Sequence, residues 1–200
     1  MRRSASNGTP AAERLLVSAR RLFAQRGFFG VSIDEVVRAA AVTPPSLYYH
    51  FKNKEGLHAA VCRRAAADYQ AALSRAASAS GSVVQRIVRV CEAHVLAADE
   101  SILLAAAFKA DPASCGVIST WPARDAWLSG VVAVLRVLIV EGIEAAEIGE
   151  CDAGCAAIAL AGAATAASWL GDRTTEPFAR DGLAAALATV FQGLHPAGVR

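Results

Sequence analysis

The sequence predicts an all-α protein of about nine helices, and three observations support that fold class. Apolar residues recur at helical spacing along most of the chain, and the period-2 alternation typical of strands is scarce. Hydrophobic residues make up 54% of the 200 positions, which is ample for a packed core. Charged residues make up 19%, so the composition excludes a disordered chain.

The first two predicted helices are short and have recognisable ends. Thr9-Pro10 gives the first helix an N-cap followed by proline at the first helical position, and Gly27 suits its C-terminus. Ser32-x-x-Glu35 is a capping-box pattern at the start of the second helix. A short break after this helix predicts a tight turn into the third.

The third helix begins in the stretch "VTPPSLYYHFKNKEGL", Val42 to Leu57. Thr43 suits the N-cap, and Pro44 and Pro45 lack amide protons that would have no partner in the first turn. At about 100° per residue, Leu47 and Phe51 share the side that faces a core. The opposite side therefore carries hydroxyl groups, aromatic rings and a histidine, with no acidic residue.

The remaining helices are predicted to be longer. They cover roughly residues 54–79, 82–98, 100–110, 121–146, 151–171 and 177–194. Asn53 suits the N-cap of the first of these, which leaves its N-terminal amides and Lys54 available to a phosphate. Two short helices joined by a tight turn, the second presenting a polar aromatic surface, are typical of a helix-turn-helix.

The net charge of +2 conceals an asymmetry along the chain. Residues 1–56 carry nine Lys or Arg against four acidic residues, a net of +5, whereas residues 57–200 have a net of −3. This asymmetry indicates that the first segment meets a polyanion, although on charge alone chance clustering remains open. We expect two domains, residues 1–56 with a flexible basic tail at the start and residues 57–200.

Cysteine usage and hydropathy bear on the compartment. Five cysteines, an odd number, do not indicate a disulfide framework, and no apolar leader follows Met1-Arg2-Arg3, so we expect a cytoplasmic protein. The uncharged segment Ala153 to Leu170 is rich in Ala and Gly rather than in Leu, Ile and Phe. It therefore favours a buried helix at a close helix–helix contact over a membrane span.

The run "SARRLFAQRGFFGVSIDEVVRAAAVTPPSLYYHFKNKEGL", Ser18 to Leu57, resembles the TetR (tetracycline repressor) family of bacterial transcriptional regulators. The specific parts are "GFFGVSIDEV" and "SLYYHFKNKEGL", and the resemblance covers about a fifth of the chain. It implies a three-helix DNA-binding domain and a helical C-terminal domain that binds a small ligand and dimerises through its last two long helices. The DNA-contacting positions that it implies are Ser32, Thr43, Pro44, Pro45, Ser46, Tyr48, Tyr49 and His50, with Lys54 on a phosphate.

Two positions depart from the family pattern. Ala41 stands in the turn where the family commonly has glycine, so we expect a strained or differently shaped turn. Pro44 stands where a polar or basic residue is common, which weakens the case for hydrogen-bonded base readout there. We therefore expect affinity to depend mainly on phosphate contacts, including Arg2 and Arg3 if the tail reaches the minor groove.

Candidates for a ligand cavity lie among the middle helices and are mostly aromatic. They are Cys91, His94, Phe108, Trp121, Trp127 and Trp169, with Cys115 as a further polar group. Ordinary core packing remains an alternative for each aromatic residue. Because the set is mainly apolar, it favours a small hydrophobic molecule. The small residues near the C-terminus suit a two-fold interface, with intramolecular packing as the alternative.

The expected function is a homodimeric repressor that binds a pseudo-palindromic operator in double-stranded DNA and is released by a small-molecule effector. The sequence lacks the common catalytic motifs, so we expect no enzyme and no cofactor. Cys91-x-x-His94 and Cys151-x-x-x-Cys155 each place two soft ligands on one helix face, although buried inert thiols are the simpler interpretation and we expect no metal. The alternative function is a regulator that senses oxidation or metal through these cysteines.

Overall fold

The computed structural model describes residues 10–100 and 121–171, with the side chains of all of these except residues 98–100, 121–127 and 167–171. Seven helices lie in this part of the chain. They are α1 (Ala11–Arg26), α2 (Ile33–Ala39), α3 (Pro44–Phe51), α4 (Lys54–Ala77), α5 (Val83–Glu100), α6 (Trp121–Glu144) and α7 (Ala153–Gly171). The all-α class is confirmed for the described residues. The predicted total of about nine helices is not matched, and the other two predicted helices, at 100–110 and 177–194, lie outside the described residues.

The helix boundaries follow the local signals closely. The described helices begin and end within about two residues of the predicted bounds. At α1 the difference has a physical reason: Pro10 occupies the N-cap position with φ −51° and ψ 145°, so the helix begins at Ala11 rather than at the proline. The Pro10 carbonyl still accepts a hydrogen bond from the Arg14 amide at 3.1 Å. Thr9, predicted as the cap, lies outside the described residues.

The described residues fall into two compact units, one containing residues 10–65 and 121–123 and the other residues 66–100 and 124–171. In the first unit α1, α2 and α3 pack against one another. Its core consists of buried apolar side chains from α1, α2, α3, the start of α4 and the residues next to α2: Leu15, Ala19, Phe23, Val31, Val36, Val37, Ala40, Leu47, Leu57, Val61 and Ala65. The domain boundary predicted after residue 56 stays a prediction, because compactness does not say which residues bind DNA.

In the second unit, α5 and α7 pack extensively against each other. The side of α7 that is buried carries Ala157, Leu160, Ala161 and Ala164, at helical spacing. The predicted close helix–helix contact is therefore present, but it uses only one stripe of this uncharged helix. Ile158 on the opposite side is 62% exposed. No helix in the described part of the chain has the length and apolar character needed to cross a membrane.

The turn between α2 and α3 contains the expected strain. Ala41 adopts φ +51°, a left-handed conformation that is unfavourable for a residue with a Cβ. Two hydrogen bonds hold the turn, because the Val42 amide donates to the Val37 carbonyl at 3.0 Å and Arg14 Nε donates to the Ala40 carbonyl at 3.1 Å. The hydrogen bonds therefore fix a turn that the local residue preference opposes.

We expect Ala41→Gly to increase the free energy of unfolding by about 0.5–1 kcal/mol. Removing the Cβ relieves roughly 1–2 kcal/mol of strain in the left-handed conformation. The greater conformational entropy of glycine in the unfolded chain opposes this effect but is smaller. Urea unfolding measures the difference. Ala39→Gly is the matched control: this exposed residue is helical, so the same change should lower stability by about 0.5–1 kcal/mol. Equal effects of the two substitutions would contradict the strain at Ala41.

Candidate nucleic-acid interface

The outward surface of α3 is the most exposed aromatic surface of the first unit. Thr43 takes the N-cap position in an extended conformation without a side-chain capping bond, and the two prolines occupy the first helical positions as predicted. The Leu47 side chain is fully buried and anchors the helix. Tyr49 is 84% exposed and Tyr48 50% exposed. Such a helix presents hydroxyl groups and rings to a partner while a single leucine holds it to the core.

The other predicted contact residues surround these tyrosines. Pro44, Pro45 and His50 are exposed, whereas Ser46 is half-buried. The His50 ring lies edge-on to the Tyr49 ring with 5.0 Å between the centroids, which orders two neighbouring side chains on the outward surface. The structure thus brings the predicted residues of α3 together on one side of the helix. Their contact with DNA stays a prediction.

Three residues, Lys52, Asn53 and Gly56, form the corner between α3 and α4. Lys52 adopts φ +68° and ends α3. Asn53 Oδ1 then accepts a hydrogen bond from the Gly56 amide at 2.7 Å, which confirms Asn53 as the N-cap of α4. Glycine is required at position 56, because a Cβ there would overlap the Phe51 carbonyl oxygen. The corner therefore sets the first turn of α4 at the end of α3.

Lys54, predicted to contact a phosphate, is the first residue of α4 and is half-buried. Its ammonium lies 4.2 Å from the centroid of the Phe28 ring. Burial lowers the pKa of the ammonium from its ordinary value, while the carboxylates of Glu55 and Glu35 act in the opposite direction. The lysine is therefore held against an aromatic face in the absence of DNA.

Ser32 is engaged by its own helix. Its hydroxyl accepts from the Glu35 amide at 3.3 Å and lies 2.9 Å from Glu35 Oε2, and its amide donates to the same carboxylate at 2.8 Å. The predicted capping box is confirmed. Arg26 also donates to this carboxylate, at 2.7 Å. Because the hydroxyl proton already points to Glu35, Ser32 can donate to a DNA phosphate only after releasing that bond.

The surroundings of Glu35 keep it ionised. Hydrogen bonds from Arg26 and Ser32 lower the pKa of its carboxyl to about 2. Arg26 neutralises the Glu35 carboxylate locally, so this capping residue does not place an unbalanced negative charge on the basic segment of residues 1–56. The pairing with Arg26 was not predicted, since the capping-box pattern identifies only the partners within α2.

In the second unit, His94 belongs to a buried chain of polar groups. Its side chain is fully buried; Nδ1 lies 2.6 Å from the Tyr69 hydroxyl and Nε2 lies 3.0 Å from Thr165 Oγ1. The Thr165 hydroxyl donates to the Ala161 carbonyl at 2.7 Å, so it accepts from Nε2–H, and Nδ1 accepts from Tyr69. Burial lowers the pKa of His94 to about 4, which keeps the ring neutral. This chain joins α4, α5 and α7.

These contacts bear on the predicted cysteine chemistry. Both ring nitrogens of His94 have partners, so the alternative in which Cys91 and His94 bind a metal gains no support from this geometry. Burial raises the pKa of Cys91 to about 12 and that of Cys62 to about 11, so both stay protonated thiols. No cluster of three or more His, Cys, Asp or Glu suited to a metal lies within the described residues.

The other ligand candidates cannot be placed around a cavity. Phe108 and Cys115 lie outside the described residues, as do the side chains of Trp121, Trp127 and Trp169. Of the predicted set, Cys91 and His94 are described, and both are fully buried. The cavity therefore stays a prediction.

The sequence interpretation missed the residues whose partners are distant along the chain. Phe28, Arg14, Tyr69 and Thr165 all make contacts of this kind. For Phe28 there was one local signal. Two adjacent phenylalanines directly after the helix end at Gly27 indicate that at least one ring packs against another part of the chain. The remaining contacts have no sequence signature, because they depend on which helices pack together.

The folded-state pKa of Glu35 predicts an acid dependence of stability. Because that pKa lies below the ordinary value of 4.5, the ionised carboxylate stabilises the folded state fully above about pH 4.5, and this contribution is lost as pH falls toward 2. We expect Glu35→Gln to be less stable than the wild type at neutral pH, with the difference shrinking through that window. Urea unfolding at a series of pH values measures it.

Asp34→Asn is the control for this measurement, since it removes a carboxylate from the same turn and leaves the Ser32 and Arg26 contacts in place. Its stability difference from the wild type should not follow the same pH profile. A difference between Glu35→Gln and the wild type that stayed constant from pH 6 to pH 2 would refute the role of the carboxylate.

Comparison with known proteins identifies the family. Residues 15–61 match the family model described as bacterial regulatory proteins, tetR family. The transcriptional regulator UidR of Escherichia coli K12 is 35% identical over 66 residues, which are 33% of this chain and 32% of UidR. The match thus spans about a third of the length of such curated relatives.

Solved structures extend the likeness to the whole fold. A TetR-family transcriptional regulator from Pectobacterium atrosepticum is 25% identical with a TM-score of 0.65, covering 94% of this chain and 95% of that one. The reduced form of NemR from E. coli, 23% identical, has a TM-score of 0.76 over 95% and 100% of the two chains, and shows the fold alone. Residues 15–61 thus belong to the TetR family of bacterial regulatory proteins, and the fold is similar to that of a TetR-family transcriptional regulator.

Proposed function

We propose that the protein is a homodimeric repressor that binds a pseudo-palindromic operator and is released by a small hydrophobic effector. The observation that carries the proposal is the exposed surface of α3, with Tyr49 84% exposed on the second helix of a helix-turn-helix. Two neighbouring exposed tyrosines, Tyr48 and Tyr49, favour a binding surface, and the basic balance of residues 1–56 favours an anionic partner.

The proposed contact places α3 in the major groove. The hydroxyl groups of Tyr48, Tyr49 and Ser46 and the His50 ring can bond to phosphates or base edges there, and the proline rings can meet a thymine methyl group. Lys54, at the N-terminus of α4, binds a backbone phosphate. Affinity then depends strongly on salt, because each neutralised phosphate releases counterions.

The proposed dimer uses the outer face of α7, defined by Cys155, Ile158, Ala159, Gly162, Ala163 and Ala166. All six are exposed, and their spacing places them on one side of the helix. A Cβ added to Gly162 would contact nothing within 4 Å, which leaves room for close approach of a second helix. A two-fold contact between copies of this uncharged face would set two α3 helices in successive major grooves.

The effector acts by favouring a conformation whose α3 helices no longer match the groove spacing. It can do so only to the extent that it binds that conformation more tightly than the DNA-bound one. The second unit supports a hydrophobic effector, because its described core is apolar apart from the Tyr69–His94–Thr165 chain. The redox alternative gains no support from Cys62 and Cys91, since burial keeps both thiols protonated.

We expect Tyr49→Ala to weaken binding to a duplex selected from a randomised pool by about ten-fold, because a contact in the groove contributes roughly 1–3 kcal/mol. The dependence of affinity on salt should not change, since tyrosine is neutral. Lys54→Met should instead reduce the slope of log affinity against log salt by about two, one for each copy in the proposed dimer. Fluorescence anisotropy at several salt concentrations measures both quantities.

Arg75→Met is the matched control for Lys54, since it removes an exposed cation from the far part of α4. It should alter neither affinity nor slope. A selection that recovers no preferred sequence, or a Tyr49→Ala protein that binds like the wild type, would defeat the proposed function.

We expect Ile158→Glu to convert the dimer to monomers, raising the dissociation constant by at least about 100-fold, because an unpaired carboxylate buried in an apolar contact costs about 3 kcal/mol or more. Analytical ultracentrifugation measures the change. Val17→Glu is the control, since Val17 on α1 is 61% exposed against 62% for Ile158. If both variants remain dimeric, the interface lies elsewhere than on the outer face of α7.

A further inference from the structure

An aromatic cluster joins the end of α1 to the start of α4. Phe23, Phe28 and His58 pack edge to face or tilted, with 5.1 Å between the Phe23 and His58 centroids, 5.2 Å between Phe28 and His58, and 5.9 Å between Phe23 and Phe28. Phe23 and His58 are buried, whereas Phe28 is half-buried. The buried pair thus fixes the orientation of the Phe28 ring.

One face of this ring carries the Lys54 ammonium, 4.2 Å from the centroid. His58 lies one helical turn after Lys54 on α4, so both ends of the arrangement are set by the same helix. Burial and the charge of Lys54 lower the pKa of His58, which favours a neutral imidazole ring against Phe28. An ammonium on an aromatic face is attracted by the ring quadrupole, and more strongly when it is partly removed from water.

The placement matters because a free lysine side chain is among the most mobile in proteins. Ordering its rotatable bonds at the moment of binding lowers affinity, and ordering them beforehand avoids this loss. An ammonium has three donors, so a lysine resting on a ring keeps donors that point away from it. Asn53 and Gly56 fix the first turn of α4 beside this ammonium.

We propose that Phe28 is a positioning residue for DNA binding, whose ring holds the Lys54 ammonium ready for a backbone phosphate at the N-terminus of α4. The inference rests on the proposed function, since it assigns Lys54 to a phosphate. Phe28 itself touches no DNA in this arrangement and acts only through the lysine. Its contribution is therefore conditional on Lys54.

A double-mutant cycle tests that condition. Phe28→Leu keeps an apolar side chain of similar reach and removes the aromatic face, so it should weaken DNA binding about two- to five-fold. In a Lys54→Met background the same substitution should change nothing. Phe28→Tyr, which restores a ring, should bind like the wild type. A residue that merely supports the fold would give equal losses in both backgrounds, and that result would overturn the proposal.

Phe29→Leu is the matched control. The Phe29 ring is 57% exposed and packs nearly perpendicular to the Phe28 ring, with 5.2 Å between centroids. The substitution therefore removes a neighbouring aromatic group and leaves Phe28 against the lysine. It should leave affinity unchanged. Thermal unfolding of each variant identifies any loss that comes from misfolding.

A measurement without DNA separates this proposal from the proposed function. The ring current of Phe28 should shift the ε-methylene protons of Lys54 upfield in NMR spectra of the wild type, and Phe28→Leu should abolish the shift. A Lys54 shift that is ordinary in the wild type overturns the positioning role. If the shift is present and lost as expected, but the wild type selects no DNA, the proposed function fails while the ordering of Lys54 by Phe28 stands.

Discussion

The geometry of the proposed DNA-binding surface depends on how α3 is held at its two ends. This helix has eight residues and one fully buried side chain, Leu47, so it is too short to be stable in isolation. A residue with positive φ stands just before it and another just after it, Ala41 at +51° and Lys52 at +68°, and neither is glycine. The hydrogen bonds of the two turns must offset this strain. The direction of α3 is therefore fixed by its flanking turns more than by its own packing.

The polar groups of the two units serve different physical needs. In the first unit, Glu35 remains ionised and half-exposed, and Arg26 balances its charge so that the capping box does not leave an isolated anion on a basic segment. In the second unit, Tyr69, His94 and Thr165 lie among apolar residues, where a charge would be costly, and their hydrogen bonds pair neutral groups. Both arrangements favour one conformation, the first through ion pairing and the second through complete hydrogen bonding.

The sequence was informative where the signal and its partner lie within one turn. Ser32 with Glu35 and Asn53 before α4 predict helix starts because each cap side chain accepts a hydrogen bond from an amide three residues away. Thr43 makes no such bond, and the start of α3 is predicted by the two prolines that follow it. Contacts such as Lys54 with Phe28 or His94 with Thr165 escaped prediction, since they arise only after helices pack. The same holds for the buried and exposed sides of α7. Its alanine content predicted a close helix–helix contact, but periodicity alone could not say which alanines face α5.

The two faces of α7 explain why such a helix can be rich in alanine and free of charge. Ala157, Ala161 and Ala164 are buried, and small side chains at these positions allow close packing against α5. Ile158 and the small residues beside it form the other face, where charged groups would ordinarily keep a helix monomeric. Burying one isoleucine contributes at most about 1.5–3 kcal/mol, so this face alone is insufficient for a tight dimer. In the proposed dimer, other residues of each copy would therefore have to contribute, and the open surface around Gly162 would let them approach.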